Sequence, residues 1–454
     1  MTVEGLTINS LKKKDLLTLG FMMFSIYFGA GNLIFPPALG QAAGDHTLHA
    51  MLGFMTTGIG LPLLGITAIA LAGGEYVPLL HAKTWPRFAT VLLVILYLII
   101  GPLFAMPRTG AVSFEIGIRP FLSADNLALG QIIYTAIFFA SSYYLALNPN
   151  KIIDRVGRML TPALLIVLLI LFVQAFHAPL GAILPATGAY IDAPFAQGFQ
   201  DGYQTMDLLA SIAIGALVAN AVRMRGITDT RAVGAACLVS GLITVMLMAA
   251  VYGSLAYIGA TSTSVLGQAE NGGQILSAAV GIFFGSAGNL LLAVIIGLAC
   301  LTTCCGITSS AAMFFNKLLK GRVSYERLLL FSIMFSFAAS NVGLTQIIAL
   351  AIPFLVTIYP LIIVFVILSL FDRFIGWRKS IYQGAMALTL VFSLIDGLHA
   401  AGLSSEPVHA LLVAYIPFYN IMMGWVCPAV IGALVGLAVS FFQTAPAAAK
   451  ESQV

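Results

Sequence analysis

The chain has 454 residues, of which 60% are hydrophobic and 8% charged, and its formal net charge is +4. Soluble domains carry about 25% charged residues because their surfaces must be hydrated. This composition therefore excludes a soluble enzyme, a disordered protein and a nucleic-acid-binding protein. Because about 20 apolar residues span a bilayer, we predict one all-α membrane domain over residues 1–454, with the lipid bilayer as its main surroundings.

Twelve apolar segments, bounded by charged or turn-forming residues, are predicted to cross the membrane and are numbered here as spans 1 to 12. They lie near 15–40, 47–73, 85–118, 129–147, 158–176, 195–221, 230–258, 288–315, 325–341, 344–371, 379–398 and 411–442. A further apolar stretch at 275–285 is too short to cross a bilayer. We predict that this stretch forms a surface or re-entrant helix.

The positions of the basic residues support this number of spans. If the N-terminus is cytoplasmic, every Lys and Arg residue except Arg108 and Arg119 falls on the cytoplasmic side. Cytoplasmic loops carry an excess of Lys and Arg, and a wrong number of spans would disrupt the alternation. The sequence therefore predicts a multi-pass protein with both termini in the cytoplasm.

Span 1 is interrupted by residues that are poor helix formers. The run Gly29, Ala30, Gly31 and Asn32 is followed closely by two prolines. Unwound backbone at this depth is tolerated only where it lines a cavity enclosed by protein. Its freed N–H groups can bind an anion and its freed carbonyls a cation. We predict a substrate site at these four residues; close helix packing through small residues is the alternative.

Span 6 carries a second polar cluster. Gly202, Tyr203, Thr205 and Asp207 are predicted to lie early in a helix that enters the membrane from outside. A carboxylate inside the membrane is costly and marks a functional site, so we assign Tyr203, Thr205 and Asp207 to the substrate site. The alternative is that Asp207 only caps a short half-helix.

The two interruptions begin spans 1 and 6, which have opposite predicted directions across the membrane. This arrangement is typical of an inverted repeat with its binding site at the two breaks. We therefore predict a first five-helix repeat at 15–176, an inverted second repeat at 195–371, and two further helices at 379–442.

Span 8 offers oxygen atoms for a hard cation such as sodium. Thr302 and Thr303 carry hydroxyl groups, and the Ala299 carbonyl lies one helical turn earlier. These groups, with unwound carbonyls of span 1, would suit sodium. The alternative is that the hydroxyls bond to carbonyls of their own helix.

Span 3 carries two charged residues, Arg108 and Glu115, in its predicted outer half. They are candidates for an extracellular gate. The alternative is a structural ion pair between Glu115 and Arg119, which are four residues apart on one helix.

Motifs of other protein classes are absent from the sequence. It contains no phosphate-binding G-x-x-x-x-G-K-[ST] motif and no H-E-x-x-H zinc motif. Its five Cys residues all fall in apolar runs without metal-ligand spacing. These absences disfavour an ATPase and a membrane metalloenzyme.

Several segments resemble the bacterial branched-chain amino acid:cation symporter family. They are Gly20–Phe24, Gly29–Pro37, Pro102–Thr109, Gly202–Asp207 and Leu301–Thr303, and the likeness covers essentially the whole chain. The family belongs to the amino acid–polyamine–cation superfamily, so the resemblance implies the fold of the leucine transporter LeuT. It also implies sodium-coupled import of leucine, isoleucine and valine by alternating access across the bacterial inner membrane. The resemblance implies sodium as the coupling ion, and it implies neither enzymatic activity nor a cofactor.

The resemblance also implies individual site residues. The main-chain carbonyls of Ser25 and Phe28 would bind one sodium ion together with Ala299, Thr302 and Thr303. The N–H groups of Ala30 and Gly31 would bind the substrate carboxylate. Span 6 departs from the LeuT pattern, which has small and hydroxyl residues where this chain has Gln204, Thr205 and Asp207. We therefore predict only the sodium site shared with span 8.

Two other functions remain open from the residues. Asp207 could be the proton site of a proton-coupled amino acid carrier. The breaks could instead form the filter of an ion channel, but a channel needs a continuous polar lining, and the polar residues here converge on one patch.

Overall fold

The structure is a computed structural model that describes residues 13–442 except 75, 148, 228, 373–377 and 405, with backbone alone for 149–161, 406 and 408. Of the described residues, 86% are helical and none lies in a β-strand. The prediction of an all-α membrane protein is thus confirmed.

Nine α-helices lie in the described part of the first half of the chain. They are α1 (Lys13–Tyr27), α2 (Ala30–Ala43), α3 (Thr47–Met55), α4 (Leu61–Leu71), α5 (Tyr76–Lys83), α6 (Pro86–Leu98), α7 (Ala105–Gly117), α8 (Leu127–Ala146) and α9 (Pro149–His177). Single π-helical turns, Thr56–Gly60 and Ile99–Leu103, join α3 to α4 and α6 to α7. Such turns widen a helix locally and often occur at functional sites.

Nine more described helices follow. They are α10 (Pro194–Asp201), α11 (Asp207–Arg223), α12 (Thr230–Leu266), α13 (Gly272–Leu318), α14 (Tyr325–Ser340), α15 (Leu344–Leu370), α16 (Lys379–Ala400), α17 (Glu406–Tyr415) and α18 (Val426–Phe442). A 3₁₀ turn, Gly202–Thr205, lies between α10 and α11.

Seven described helical segments are long and apolar enough to cross a membrane, and an eighth is obtained if the bent pair α10 and α11 is one span. Two shorter described segments, Pro162–His177 and Val426–Phe442, are also apolar. The membrane-protein class is therefore confirmed, whereas the number twelve, the inverted repeat and the orientation stay predictions. The basic residues Lys12, Arg373 and Lys450, used for the orientation, lie outside the described residues.

The predicted short helix at 275–285 corresponds to the first part of α13. The backbone of Gly285 has φ 65° and ψ −161°, which ends the helical path there before it resumes. A Cβ atom on Gly272 would lie 1.7 Å from the Ile34 carbonyl oxygen, so this first part packs directly against α2.

Two buried hydrophobic clusters surround the helix breaks. One contains Phe28 and Ala30 at the first break, together with buried residues of α12 and α13. The other contains Tyr203 and Leu208 at the second break, together with buried residues of α6, α15 and α16. The polar residues of the breaks therefore lie where the two apolar clusters meet.

Lys83 and Asp372 form a buried salt bridge that the sequence did not predict. Lys83 Nζ lies 2.8 and 2.9 Å from the two carboxylate oxygens, and the Tyr382 hydroxyl donates to the same carboxylate at 2.9 Å. The Lys83 and Asp372 side chains are only 3% and 9% exposed. This cluster joins α5 to the end of α15 and to α16.

Breaking this pair should destabilise the protein strongly. Lys83→Met leaves Asp372 buried beside one hydroxyl, and losing one partner of a buried ion pair costs about 3–5 kcal/mol. The double variant Lys83→Met/Asp372→Leu removes both charges and should recover most of the loss. Thermal denaturation of the purified protein in detergent measures both, with Lys317→Met as an exposed control. Equal destabilisation in the single and double variants would contradict this account.

Candidate functional site

The first helix break lies at Phe28 and Gly29, between α1 and α2. Gly29 has extended backbone, with φ −127° and ψ −168°, and its N–H donates to Asn32 Oδ1 at 3.3 Å. Ala30 and Gly31 occupy the first turn of α2, where N–H groups have no partner within the helix. The break predicted in span 1 is thus confirmed, although the two prolines that signalled it lie inside α2.

The second break lies between α10 and α11, whose axes differ by 48°. The 3₁₀ turn ends at Met206, which adopts the left-handed conformation with φ 62°. A residue with a Cβ atom rarely adopts this conformation, and such strain is concentrated at functional sites. Tyr203 and Thr205 therefore belong to the break itself and Asp207 begins α11, whereas the sequence placed all three early in one helix.

Asn32 and Asp207 join the two breaks. The Asn32 side-chain amide donates to Asp207 Oδ2 at 2.8 Å and also to the Tyr252 hydroxyl oxygen. The Tyr252 hydroxyl in turn donates to Asp207 Oδ2 at 3.4 Å. Asn32, Asp207 and Tyr252 are 2%, 5% and 0% exposed, so α2, α11 and α12 meet in a buried polar triad.

Asp207 does not act as a helix cap. The N-cap position of α11 is occupied by Met206, and the Asp207 carboxylate bonds to the triad instead. The hydroxyl of Thr205 accepts the Asp207 N–H at 3.3 Å and donates to the Gly202 carbonyl at 2.9 Å. Thr205 thus stabilises the turn, and the Asp207 carboxyl group is directed into the protein.

Arg108 lies between the two breaks. Its Nη1 and Nη2 atoms donate to the carbonyls of Gln204 at 2.5 Å and Thr205 at 3.4 Å. The guanidinium carbon is 5.2 Å from the centre of the Phe35 ring, and the residue is 5% exposed. A buried cation from α7 therefore lies against the carbonyl end of the second break.

Arg108 and Glu115, the two candidates for an extracellular gate, have different hydrogen-bond partners, and the gate itself stays a prediction. Glu115 Oε1 accepts hydrogen bonds from Arg119 at 2.8 Å, Asn271 at 3.2 Å and Gln274 at 2.9 Å. The alternative ion pair with Arg119 is thus confirmed, and Glu115 joins the end of α7 to the start of α13. The two residues have different partners because they lie two turns apart on α7.

The candidate sodium ligands belong to two parts of the fold, the end of α1 with the break that follows it, and α13. A Cβ atom on Gly29 would be 3.4 Å from Thr303 Cγ2 and 3.7 Å from Thr303 Oγ1, so α13 passes beside the break. The Thr302 hydroxyl donates to the Ala299 carbonyl at 2.9 Å, which was the alternative for this residue. Its oxygen still has lone pairs that can accept a cation.

Ser25 lies in the last turn of α1, and Phe28 follows that turn. The Phe28 N–H donates to the Phe24 carbonyl at 2.8 Å, and the two rings stack with centroids 5.1 Å apart. Among the described residues, no group of three or more His, Cys, Asp or Glu side chains could hold a metal. The oxygens near this break suit a hard monovalent ion rather than a transition metal.

Tyr203 is oriented towards α15 and not towards the polar triad. Its ring stacks on Tyr359 with centroids 4.3 Å apart and an interplanar angle of 18°. Tyr252 bonds to Asp207, and Tyr359 stacks on the ring of Tyr203. Sequence reasoning missed Tyr252 and Tyr359; the signal that could have found them is a tyrosine in the middle of an apolar span, away from the interfaces where it is usual.

Comparisons with known proteins identify the family. Residues 12–443 match the family described as branched-chain amino acid transport protein. The chain belongs to this family. It is 46% identical to the branched-chain amino acid permease BraB of Bacillus subtilis over 96% of this chain and 97% of that one. It is 44% identical to the branched-chain amino acid transport system 2 carrier protein of Pseudomonas aeruginosa, with 92% and 94% covered. The BrnQ permease of Escherichia coli K12 is 38% identical, with 93% and 95% covered. These family members are named as permeases and carriers, not as enzymes.

Solved transporter structures share the fold. The nucleobase-cation-symport-1 transporter Mhp1 has a TM-score of 0.58 and 13% identity, covering 94% of this chain and 92% of that one. MhsT, in complex with L-phenylalanine, has a TM-score of 0.56 and 16% identity, with 93% and 98% covered. A manganese transporter of Eremococcus coleocola has a TM-score of 0.56 and 15% identity, with 96% and 98% covered. Mhp1 and MhsT have the LeuT-type fold, which agrees with the fold expected from the sequence.

Exchanging the two triad residues should test the bond that joins the breaks. Asn32→Asp places a second carboxylate beside Asp207. The free energy of unfolding of this single variant should therefore fall by about 2 kcal/mol or more at neutral pH. The double variant Asn32→Asp/Asp207→Asn restores one carboxylate and one amide and should recover most of that loss. Melting temperatures in detergent measure the coupling. Additive losses in the double variant would show that the two side chains do not depend on each other.

Proposed function

We propose that this chain is a sodium-coupled importer of leucine, isoleucine and valine that works by alternating access. Its membership of a branched-chain amino acid transport family supports the substrate class. The observation that carries the proposal is the pair of helix breaks held together by Asn32 and Asp207. We place the protein in the bacterial inner membrane, with twelve spans, an inverted repeat and both termini in the cytoplasm.

A zwitterionic amino acid would bind between the two breaks. Its carboxylate would accept hydrogen bonds from the N–H groups of Ala30 and Gly31, because the first turn of a helix carries partial positive charge. Its ammonium group would interact with Asp207 or with carbonyls of the second break. An aliphatic side chain would pack against the aromatic rings buried nearby, such as Phe35 and Tyr359.

Sodium would bind where α13 passes the end of α1. The carbonyls of Ser25, Phe28 and Ala299 and the hydroxyls of Thr302 and Thr303 are the proposed ligands. The short distance between Thr303 and Gly29 supports this assignment. The carbonyl end of α1 also carries partial negative charge, which favours a cation. Entry of one sodium ion would contribute about 2.3 kcal/mol per 100 mV of membrane potential.

Proton coupling is the second candidate, and Asp207 is the observation that favours it. The carboxylate is buried at the break and bonds to neutral donors from Asn32 and Tyr252. During alternating access the carboxylate would become accessible first from one side of the membrane and then from the other. It could then carry a proton together with the substrate.

Uptake of radiolabelled leucine into proteoliposomes tests the proposed function. Gradients of sodium, lithium or protons are imposed one at a time, each with and without a membrane potential. We expect concentrative uptake with an inward sodium gradient and increased uptake when the interior is negative. Uptake driven by a proton gradient alone would contradict sodium coupling and support proton coupling. Absence of leucine uptake under every gradient, with folded protein, would contradict amino acid transport.

Thr303→Ala should raise the sodium concentration that gives half-maximal uptake. Loss of one hydroxyl ligand is expected to raise it by about 5- to 10-fold, with little change in expression. Thr308→Ala is the matched control, because the Thr308 hydroxyl donates to the Cys304 carbonyl on the same helix. The sodium site would be wrong if both variants had the sodium dependence of the unmodified protein.

Asp207→Asn distinguishes two roles of Asp207, which are binding of the substrate ammonium group and transfer of a proton. The variant keeps the shape of the side chain and removes its charge. If Asp207 binds the substrate ammonium, the leucine concentration for half-maximal uptake should rise about 10-fold or more, with unchanged pH dependence. If Asp207 carries a proton, the dependence of uptake on pH should flatten instead. A variant with unchanged affinity and unchanged pH dependence would have neither role.

A further inference from the structure

Arg108 is a buried cation whose hydrogen-bonding capacity is only partly used. A guanidinium group has five N–H donors, and burial of its charge is costly without partners. Its two described hydrogen bonds go to the main-chain carbonyls of Gln204 and Thr205. The Nε atom is buried and has no hydrogen-bond partner among the described residues. The group therefore retains capacity to bind an anion.

The guanidinium lies directly against the first turn of α2. A Cβ atom on Gly31 would be 2.9 Å from Nη2 and 3.2 Å from Cζ of Arg108. Because Gly31 has no side chain, nothing from this residue separates the cation from the backbone of the turn. The first turn of α2, whose N–H groups have no partner within the helix, thus has a positive charge beside it.

The nearby carboxylate does not form an ion pair with this cation. Asp207 interacts electrostatically with Arg108, but its hydrogen bonds within the triad come from Asn32 and Tyr252. The ion pairs found among the described residues are Lys83 with Asp372 and Arg119 with Glu115, and neither includes Arg108. No carboxylate among the described residues therefore forms an ion pair with Arg108, and an anionic partner can be supplied by a ligand.

These features together define a carboxylate subsite. A carboxylate has two oxygens in one plane, which match a guanidinium fork, and a helix N-terminus supplies further N–H donors. We propose that Arg108, together with the N–H groups of Ala30 and Gly31, binds the α-carboxylate of the substrate. Arg108 is then the residue that selects amino acids over amines with the same side chain. This inference rests on the proposed function, since it assigns a group of that same substrate.

The same side chain also connects the substrate to both breaks. Its bonds to Gln204 and Thr205 hold the guanidinium at the carbonyl end of the second break, and the same group lies directly beside Gly31 at the first break. A carboxylate bound to Arg108 therefore adds a charged contact that involves both breaks at once. Binding of the amino acid favours the arrangement in which the two breaks are close.

The test compares leucine with 3-methylbutylamine, which is leucine without its carboxylate. Arg108→Gln and Arg108→Lys are measured in proteoliposomes with a sodium gradient. For Arg108→Gln, the leucine concentration for half-maximal uptake should rise about 10- to 100-fold. The inhibition constant of 3-methylbutylamine should change less than 3-fold. Arg108→Lys keeps the charge without the planar fork and should recover part of the leucine affinity.

Arg225→Gln is the matched control. Arg225 donates to the Ala221 carbonyl at 2.7 Å, so this variant also removes a guanidinium–carbonyl bond, but away from the breaks. Leucine and amine values should both match those of the unmodified protein. Elution on size exclusion and the melting temperature show whether each variant is folded. If Arg108→Gln does not fold, the leucine-to-amine ratio in Arg108→Lys decides.

Three outcomes would overturn the inference. One is an unchanged leucine affinity in folded Arg108→Gln. Another is a parallel loss of leucine and 3-methylbutylamine affinity, which would mean that Arg108 only supports the turn at Gln204 and Thr205. The last is an unmodified protein that binds the amine as tightly as leucine. Failure of the proposed function is distinct, because the unmodified protein would then take up no leucine under any gradient.

Discussion

The hydrogen bond between Asn32 and Asp207 is the contact on which the arrangement of the site depends. Each residue sits beside a helix break, where main-chain groups lose their partners in the middle of an apolar protein. Backbone of this kind is tolerated only where protein encloses it. The bond places one break against the other, and Tyr252 closes the contact from α12. The main-chain donors at the start of α2 and the main-chain acceptors of the 3₁₀ turn are therefore held close together.

The charges around the breaks are separated rather than paired. Asp207 is directed to the amide and hydroxyl of the triad, whereas Arg108 is directed to two carbonyls and to the bare backbone at Gly31. A zwitterionic amino acid also carries its two opposite charges on separate groups. The site is thus suited to a molecule that carries an anion at one end and a cation at the other. Membership of a branched-chain amino acid transport family and this arrangement of charged groups both favour amino acids.

The sequence predicted the features that depend on local chemistry. Glycines and an asparagine within an apolar span located the first break, an acidic residue in a second span located the other, and the spacing of Glu115 and Arg119 allowed their ion pair. It did not predict contacts that depend on how helices rotate against each other. Arg108 was only a candidate for an outer gate, because its position along span 3 could be predicted and the direction of its side chain could not. The partners Tyr252 and Asp372 are far along the chain from Asn32 and Lys83, so one sequence gave no sign of them.

The glycine contacts between α2 and α12 restrict how these helices can be displaced. A Cβ on Gly40 would lie 1.9 Å from the Ala256 carbonyl oxygen, and one on Gly259 would lie 2.0 Å from that of Pro37. With backbone against backbone at two points, neither helix can slide or roll without the other. The two helices are therefore expected to move as one unit, and Tyr252 moves with them because it belongs to α12. Opening of the first break therefore requires α1 to move relative to the α2–α12 pair, with the change in backbone direction at Phe28 and Gly29, although α1 is also bonded to α12 through the Thr244 hydroxyl and the Gly20 carbonyl at 2.9 Å.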